Sequence, residues 1–175
     1  MRPRSLTTAF TLVEALISIA LLALLLTAIA TAMHASFQSY EENEKLAAVT
    51  QTARSVLDRM TREIRTANDI DPASTPTKVG IQPAAGGTIQ RIEYEFANGN
   101  LYYRLTNTAG QTTSQVLLGS TEDVRVTSFQ ASYTTGQDWQ GVACTKTVIV
   151  HMVLAVKNQT LTVTASGSPR KNQLY

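Results

Sequence analysis

One long apolar run, residues 10–33, limits what this chain can fold into more than any other feature. As a helix that rises ~1.5 Å per residue, the run would reach about 36 Å, which is enough to cross the ~30 Å hydrocarbon core of a bilayer. Arg2 and Arg4 precede it, and basic residues tend to stay on the cytoplasmic side. The run therefore predicts a single membrane-spanning segment with a cytoplasmic N-terminus and with residues 34–175 exported.

Glu14 is the acid near the start of this run, and no basic residue lies between positions 10 and 33. A carboxylate inside a membrane helix costs about 2.5–3.5 kcal/mol on insertion scales, so it needs a partner. Cleavage before Phe10 would create one, because the freed amine would lie one helical turn from Glu14. In a bundle of parallel helices, the amine of one copy could meet the carboxylate of the next.

These residues resemble the N-terminal motif of type IV pilins and type II secretion pseudopilins. The matching positions, in order, are Phe10, Thr11, Leu12, Val13 and Glu14. The resemblance implies that a prepilin peptidase removes residues 1–9 by cutting between Ala9 and Phe10, and that the Phe10 amine is then methylated. It further implies assembly with other pilin or pseudopilin subunits through the helix, with Glu14 as the assembly residue, from a single-pass position in the inner membrane. Ala9 stands where the family usually has Gly.

Two other interpretations of the same run remain open. An ordinary secretion signal also starts with arginines and an apolar core, and Ala30-Thr31-Ala32 would serve as its cleavage site. The run is longer than the usual core of about 7–15 residues, which argues against that signal. The second alternative is an uncut anchor that carries an exported domain.

The apolar pattern continues beyond the run and predicts a longer helix. Residues from Leu46 to Ala67 recur at steps of three and four, and no Pro or Gly interrupts positions 5–70. The opposite face offers the i to i+4 ion pairs Arg54–Asp58, Asp58–Arg62 and Arg59–Glu63. Pro72 follows, so we expect the helix to end near residues 68–70. The predicted divisions are a leader (1–9), a membrane or filament-core helix (10–33), an amphipathic helix (34–70) and a β-rich head (71–175).

Beyond the helix the apolar period changes to two, which is typical of strands. We predict strands at residues 88–96, 101–105, 114–118, 124–133, 142–156 and 160–165. Asn98-Gly99 predicts a tight hairpin, because both residues tolerate positive φ. Alternating apolar positions on both faces of 142–156 indicate a strand covered on both sides. The predicted fold class is α+β, with the long helix packed on an antiparallel sheet of five or six strands.

The head also resembles the J-type minor pseudopilins and the related W-type minor pilins. The resemblance lies in the helix segments 55–60 and 62–65, the hairpin 92–94 with 101–104, the strand 116–118, and Tyr133 followed by Trp139. It implies a minor, non-enzymatic subunit of a type II secretion or type IV pilus filament, in a tip or priming complex. Trp139 is the candidate partner contact, since aromatic side chains are enriched at interface hot spots.

Nothing in the sequence favours catalysis, a cofactor or a metal. His34 and His151 belong to no ligand or nucleophile motif, and the lone Cys144 is more simply a small apolar residue. The acid pairs Glu93 with Glu95 and Asp69 with Asp71 fit a solvated strand face and a helix end. Residues 34–175 carry a net charge of about +1, which gives no clear basis for nucleic-acid binding. A head that binds DNA or a surface stays the alternative function.

Overall fold

The computed structural model describes residues 11–119, 124–138, 140–157 and 159–170. A single helix, α1 (Leu12–Thr66), precedes eight strands. The strands are β1 (Asp69–Ile70), β2 (Lys78–Gln82), β3 (Ile89–Ala97), β4 (Asn100–Asn107), β5 (Thr112–Leu118), β6 (Val124–Gln137), β7 (Ala143–Val156) and β8 (Gln159–Gly167). The combination of one long N-terminal helix with antiparallel sheet confirms the predicted α+β class.

The strands form two antiparallel sheets where one was expected. The first sheet has the order β1-β2-β3-β4-β5, and the second has the order β6-β7-β8. Among the described residues, backbone hydrogen bonds connect β6 to the loops of the first sheet: the Ala131 amide donates to the Pro76 carbonyl at 2.7 Å, and the Val126 amide donates to the Gly99 carbonyl at 3.3 Å. The alternation of apolar residues along β6 does not indicate that this strand begins a second sheet, because strands in both sheets have the same period of two.

α1 ends at Thr66, earlier than predicted, because the next residues join the first sheet. The amide of Asn68 donates to the Gln82 carbonyl at 2.8 Å, and Ile70 pairs with Ile81. Residues 69–70 were expected to close the helix and instead form β1. The pattern of three- and four-residue steps could not reveal this end, since the buried residues Ala67 and Ile70 continue the spacing of Ile64 beyond the helix.

The Asn98-Gly99 hairpin is confirmed. Both residues have positive φ, 52° and 75°, and they join Ala97 of β3 to Asn100 of β4. Two consecutive left-handed residues define the type I′ turn, whose twist matches that of the flanking strands.

The core is shared by the helix and both sheets. Met60 and Ile64 of α1 are each 1% exposed and belong to the same apolar cluster as Tyr94 of the first sheet and Met152 of the second. On β7 the buried residues are Val148, Val150, Met152, Leu154 and Val156. The prediction of a strand covered on both faces was wrong, since the alternate residues are half-buried and His151 is exposed.

α1 approaches the backbone of the last strand, β8, closely at Gly167. A Cβ added at Gly167 of β8 would lie 3.0 Å from Cγ2 of Ile64 and 3.5 Å from the carbonyl oxygen of Thr61. Glycine thus leaves room for the helix to touch the backbone of β8.

The chain divides into two compact units, residues 1–44 and 45–175. α1 contributes its residues 12–44 to the first unit and its residues 45–66 to the second.

Candidate functional site

The first part of α1 exposes an apolar surface on all its sides. From Leu12 to Met33 every large aliphatic side chain is at least 53% exposed. The helix is long and apolar enough to span a membrane, judged by length and composition, and none of its most apolar 18-residue window is buried. An apolar helix without a protein cover needs another apolar environment, which lipid or neighbouring helices would supply.

The hydroxyl groups in this part bond back to their own helix. Ser18 Oγ donates to the Glu14 carbonyl at 2.8 Å, Thr27 Oγ1 to the Ala23 carbonyl at 2.7 Å, and Thr31 Oγ1 to the Ala28 carbonyl at 2.9 Å. Such bonds satisfy hydroxyls that would be costly to leave unpaired in an apolar medium. These three hydroxyl residues are therefore compatible with a membrane or helix-bundle setting.

Glu14 lies in the first turn of α1 and has an interaction that the sequence analysis missed. Its amide donates to Thr11 Oγ1 at 3.3 Å, and the Ala15 amide donates to the Thr11 carbonyl at 3.1 Å. Thr11 therefore caps the helix, and Glu14 stands at the third helical position, the spacing of a capping box. The signal was present in the sequence as Thr-x-x-Glu.

This position gives the Glu14 carboxylate a local electrostatic partner. An acid in the first turn interacts favourably with the positive end of the helix dipole, typically by about 0.3–1 kcal/mol. Along the chain, however, the nearest Lys or Arg residues are Arg4 and Lys45. The carboxylate is exposed, so it remains available to a cation of another chain.

Three predicted site residues, Ala9, Phe10 and Trp139, lie outside the described residues. The leader cut, the N-methylation and the Trp139 contact accordingly stay predictions.

The second part of α1 is held to the first sheet by a polar cluster around Glu63. The Glu63 carboxylate accepts hydrogen bonds from Tyr94 Oη at 2.7 Å, Tyr103 Oη at 3.2 Å and Arg59 Nε at 3.0 Å. Tyr94 and Tyr103 face each other across β3 and β4, with their ring centroids 5.2 Å apart in an edge arrangement. The Arg59 guanidinium lies 4.0 Å from the Tyr103 ring centroid.

Burial changes the acid–base behaviour of this Glu63 cluster. Desolvation, and then the adjacent Glu63 carboxylate, raise the pKa of Tyr94 and of Tyr103. Both phenols therefore stay protonated and donate well above neutral pH. Of the three predicted i to i+4 pairs only Arg59–Glu63 is formed among the described residues. Its tyrosine partners are 31 and 40 residues away in sequence, so the helix pattern could not point to them.

The acids on β3 are not the solvated face that we expected. Arg91 reaches both Asp71 and Glu93, Lys78 lies 3.3 Å from Glu93, and Glu95 pairs with Arg104. Asp71 and Glu93 side chains are only 14% and 12% exposed. The Arg91–Asp71 pair fastens the turn after β1 to β3, while Lys78–Glu93 and Arg104–Glu95 join neighbouring strands, which is a structural role.

The two histidines of the described residues lie in separate, local side-chain contacts. His34 Nε2 contacts Gln38 Nε2 at 3.2 Å, and His151 Nδ1 contacts Thr164 Oγ1 at 3.0 Å. Within the described ranges, no three His, Cys, Asp or Glu residues are placed to share a metal ion. Half-buried Cys144 lines an open cavity of about 380 Å³ beside Tyr133, whose pKa burial raises to about 12.

We compared the chain with protein-family models, with curated proteins and with solved structures, and nothing matched.

Proposed function

We propose that this chain is a minor pilin-like subunit, a structural protein that assembles through its N-terminal helix into a type II secretion or type IV pilus filament. The observation that supports the proposal most is the exposed apolar surface of residues 12–33, whose hydroxyls are satisfied within the helix. The same helix continues into residues whose apolar side chains are buried in the head. A subunit that packs by one part of a helix and carries a domain on the other requires this distribution.

The proposed route begins in the inner membrane. The N-terminus faces the cytoplasm, and the head faces the periplasm or the cell exterior. Prepilin peptidase cuts between Ala9 and Phe10, the Phe10 amine is methylated, and the Glu14 carboxylate pairs with the amine of a neighbouring subunit. Within the assembly we place the chain among minor subunits of the J or W type, in a tip or priming complex, with Trp139 as a partner contact.

N-terminal sequencing and intact mass of the protein, purified from membranes of cells with and without the peptidase, test this route. We expect a mature chain that starts at methylated Phe10 only when the peptidase is present. A chain that starts after Ala32 would identify an ordinary secreted domain, and a full-length chain in both strains would identify an uncut anchor. Either result would overturn the proposal.

The capping geometry of Glu14 gives a sharper test of its proposed pairing. Glu14→Gln keeps a capping-box residue but removes the charge, whereas Thr11→Ala removes the cap and keeps the charge. If Glu14 acts by pairing, Glu14→Gln and Glu14→Ala lose co-purification with other pilin-like subunits, and Thr11→Ala retains it. Retention by Glu14→Gln with loss in Glu14→Ala and Thr11→Ala would show instead that Glu14 acts in the helix cap. Resistance to alkaline extraction from membranes is the control, and it should be unchanged in all three variants.

A further inference from the structure

The free edge of the second sheet differs from the other sheet edges of this chain. Among the described strands β8 pairs with β7 alone. Natural edge strands are usually blunted by charge, proline, a bulge or short length. β8 has nine residues, QTLTVTASG, with no charge and no proline, and its register with β7 is continuous.

The other edges carry such devices. β1 has only two residues, and β5 has a register shift against β4. β6 has two register shifts, and the carbonyls of Pro76 and Gly99 accept bonds from its amides. Among the edge strands that the structure describes, only β8 is at once long, regular and uncharged, and this is the kind of edge to which another strand can add.

A groove of about 310 Å³ separates this edge from α1. It is lined by Leu57 and Val163, with Arg54 and Asp58 on the helix side. α1 and β8 run in the same direction, since residues 54–58 lie beside 162–165 while Thr61 and Ile64 lie beside Gly167. A strand added to β8 would therefore run along the helix, with one row of side chains directed to the groove.

The two charges that border the groove indicate what such a strand would carry. Arg54 and Asp58 are exposed, and within the described residues neither forms an ion pair. Four helical residues rise about 6 Å, which is close to the ~6.7 Å between alternate residues of a strand. One acid opposite Arg54 and one base opposite Asp58 thus fit at positions i and i+2 of an extended segment.

We propose that the groove between α1 and β8 binds an extended strand of a partner protein, which adds to β8 and carries an acid and a base two residues apart. A second copy of this chain fits less well, because its unblunted edge strand β8 is uncharged and would leave Arg54 and Asp58 without partners. This site is independent of the assembly proposed through residues 12–33, since its lining lies wholly within the second unit, Lys45–Tyr175.

Binding of two labelled peptides, TVEVKVT and TVKVEVT, to the full-length chain in detergent micelles tests the proposal, with TVQVQVT as the uncharged control. The direction of strand addition decides which charge order fits, so we expect one charged peptide to bind about fivefold or more tightly than the other. In the double variant Arg54→Asp with Asp58→Arg, the preference should reverse.

Thr162→Lys places a blunting charge on the edge and should abolish binding of both peptides. Its matched control is Thr113→Lys on the exposed strand β5, which should bind as the unmodified chain does. Thermal unfolding shows whether each variant is folded. Equal binding of both charge orders, a preference that survives the double exchange, unchanged binding by Thr162→Lys, or no binding to the unmodified chain would each overturn the proposal. None of these outcomes bears on leader processing, which the N-terminal analysis tests separately.

Discussion

The two parts of α1 both carry leucine and isoleucine, and these residues have opposite surroundings in the two parts. Leu22 in the first part is 58% exposed, while Leu57 in the second part is 3% exposed. In the first part leucine and isoleucine occur on every side, whereas in the second they alternate with charged residues at helical spacing. The difference shows that the apolar character of a residue is not enough to decide whether its side chain is buried. The pattern around it decides whether its environment is the protein's own sheets or something outside the chain.

Truncation of an apolar side chain should separate the two parts most strongly. Met60→Ala removes a buried side chain from the core and should lower the free energy of unfolding by about 2–5 kcal/mol. The matched change Leu22→Ala should leave head stability unaltered, because Leu22 is 58% exposed and does not belong to the core cluster. Urea unfolding in detergent, followed by head fluorescence, measures both. A comparable loss in Leu22→Ala would contradict the division of α1.

Loss of the Glu63 carboxylate tests how the second part is fastened. Glu63→Ala leaves the buried Tyr94 hydroxyl without its acceptor and should cost about 1–3 kcal/mol. Glu41→Ala, in the exposed first part, is the control and should lie within about 0.5 kcal/mol of the unmodified chain. Equal unfolding midpoints for the two variants would show that the Glu63 cluster adds no net stability.

The contact between α1 and β8 is tested by a single methyl group. Gly167→Ala places a Cβ 3.0 Å from Ile64, so the helix must shift by a few tenths of an ångström, at about 1 kcal/mol. Gly87→Ala is the control, since the nearest atom to its added Cβ is 3.9 Å away. If both variants melt at the same temperature, the helix does not bear on the backbone of β8.

Alkaline pH should weaken the attachment of the second part of α1 to the first sheet, and near neutral pH the effect vanishes. The folded-state pKa of Tyr94 and Tyr103 is raised above the unfolded value of about 10. The folded state therefore keeps protons that the unfolded state releases, so stability is fully present below pH ~10 and falls as pH rises further. Unfolding followed as a function of pH should show a smaller alkaline decline in Tyr94→Phe. An unchanged decline would mean that Tyr94 does not contribute.

The strand pattern was predicted more accurately than the arrangement of the strands. β3 to β8 lie close to their predicted positions, because alternation over five or more residues is a local property. β1 and β2 were missed, since two residues after a helix and the segment KVGIQ carry too little alternation to be recognised. The acids on β3 were misjudged for another reason, as their partners Lys78 on β2 and Arg104 on β4 meet them only once the strands are paired.

The sequence by itself determined the properties that depend on neighbours along the chain. These are the helix that starts at Leu12, the apolar character of its first part, the type I′ hairpin and the Thr11 cap, which was present as a motif although we did not recognise it. The tertiary structure decided which residues meet across long separations. It set the division into two sheets, the end of α1 at Thr66 and the Glu63 cluster. Local patterns fix backbone conformation through short-range sterics and hydrogen bonds, whereas contacts between distant residues depend on how all the elements pack at once.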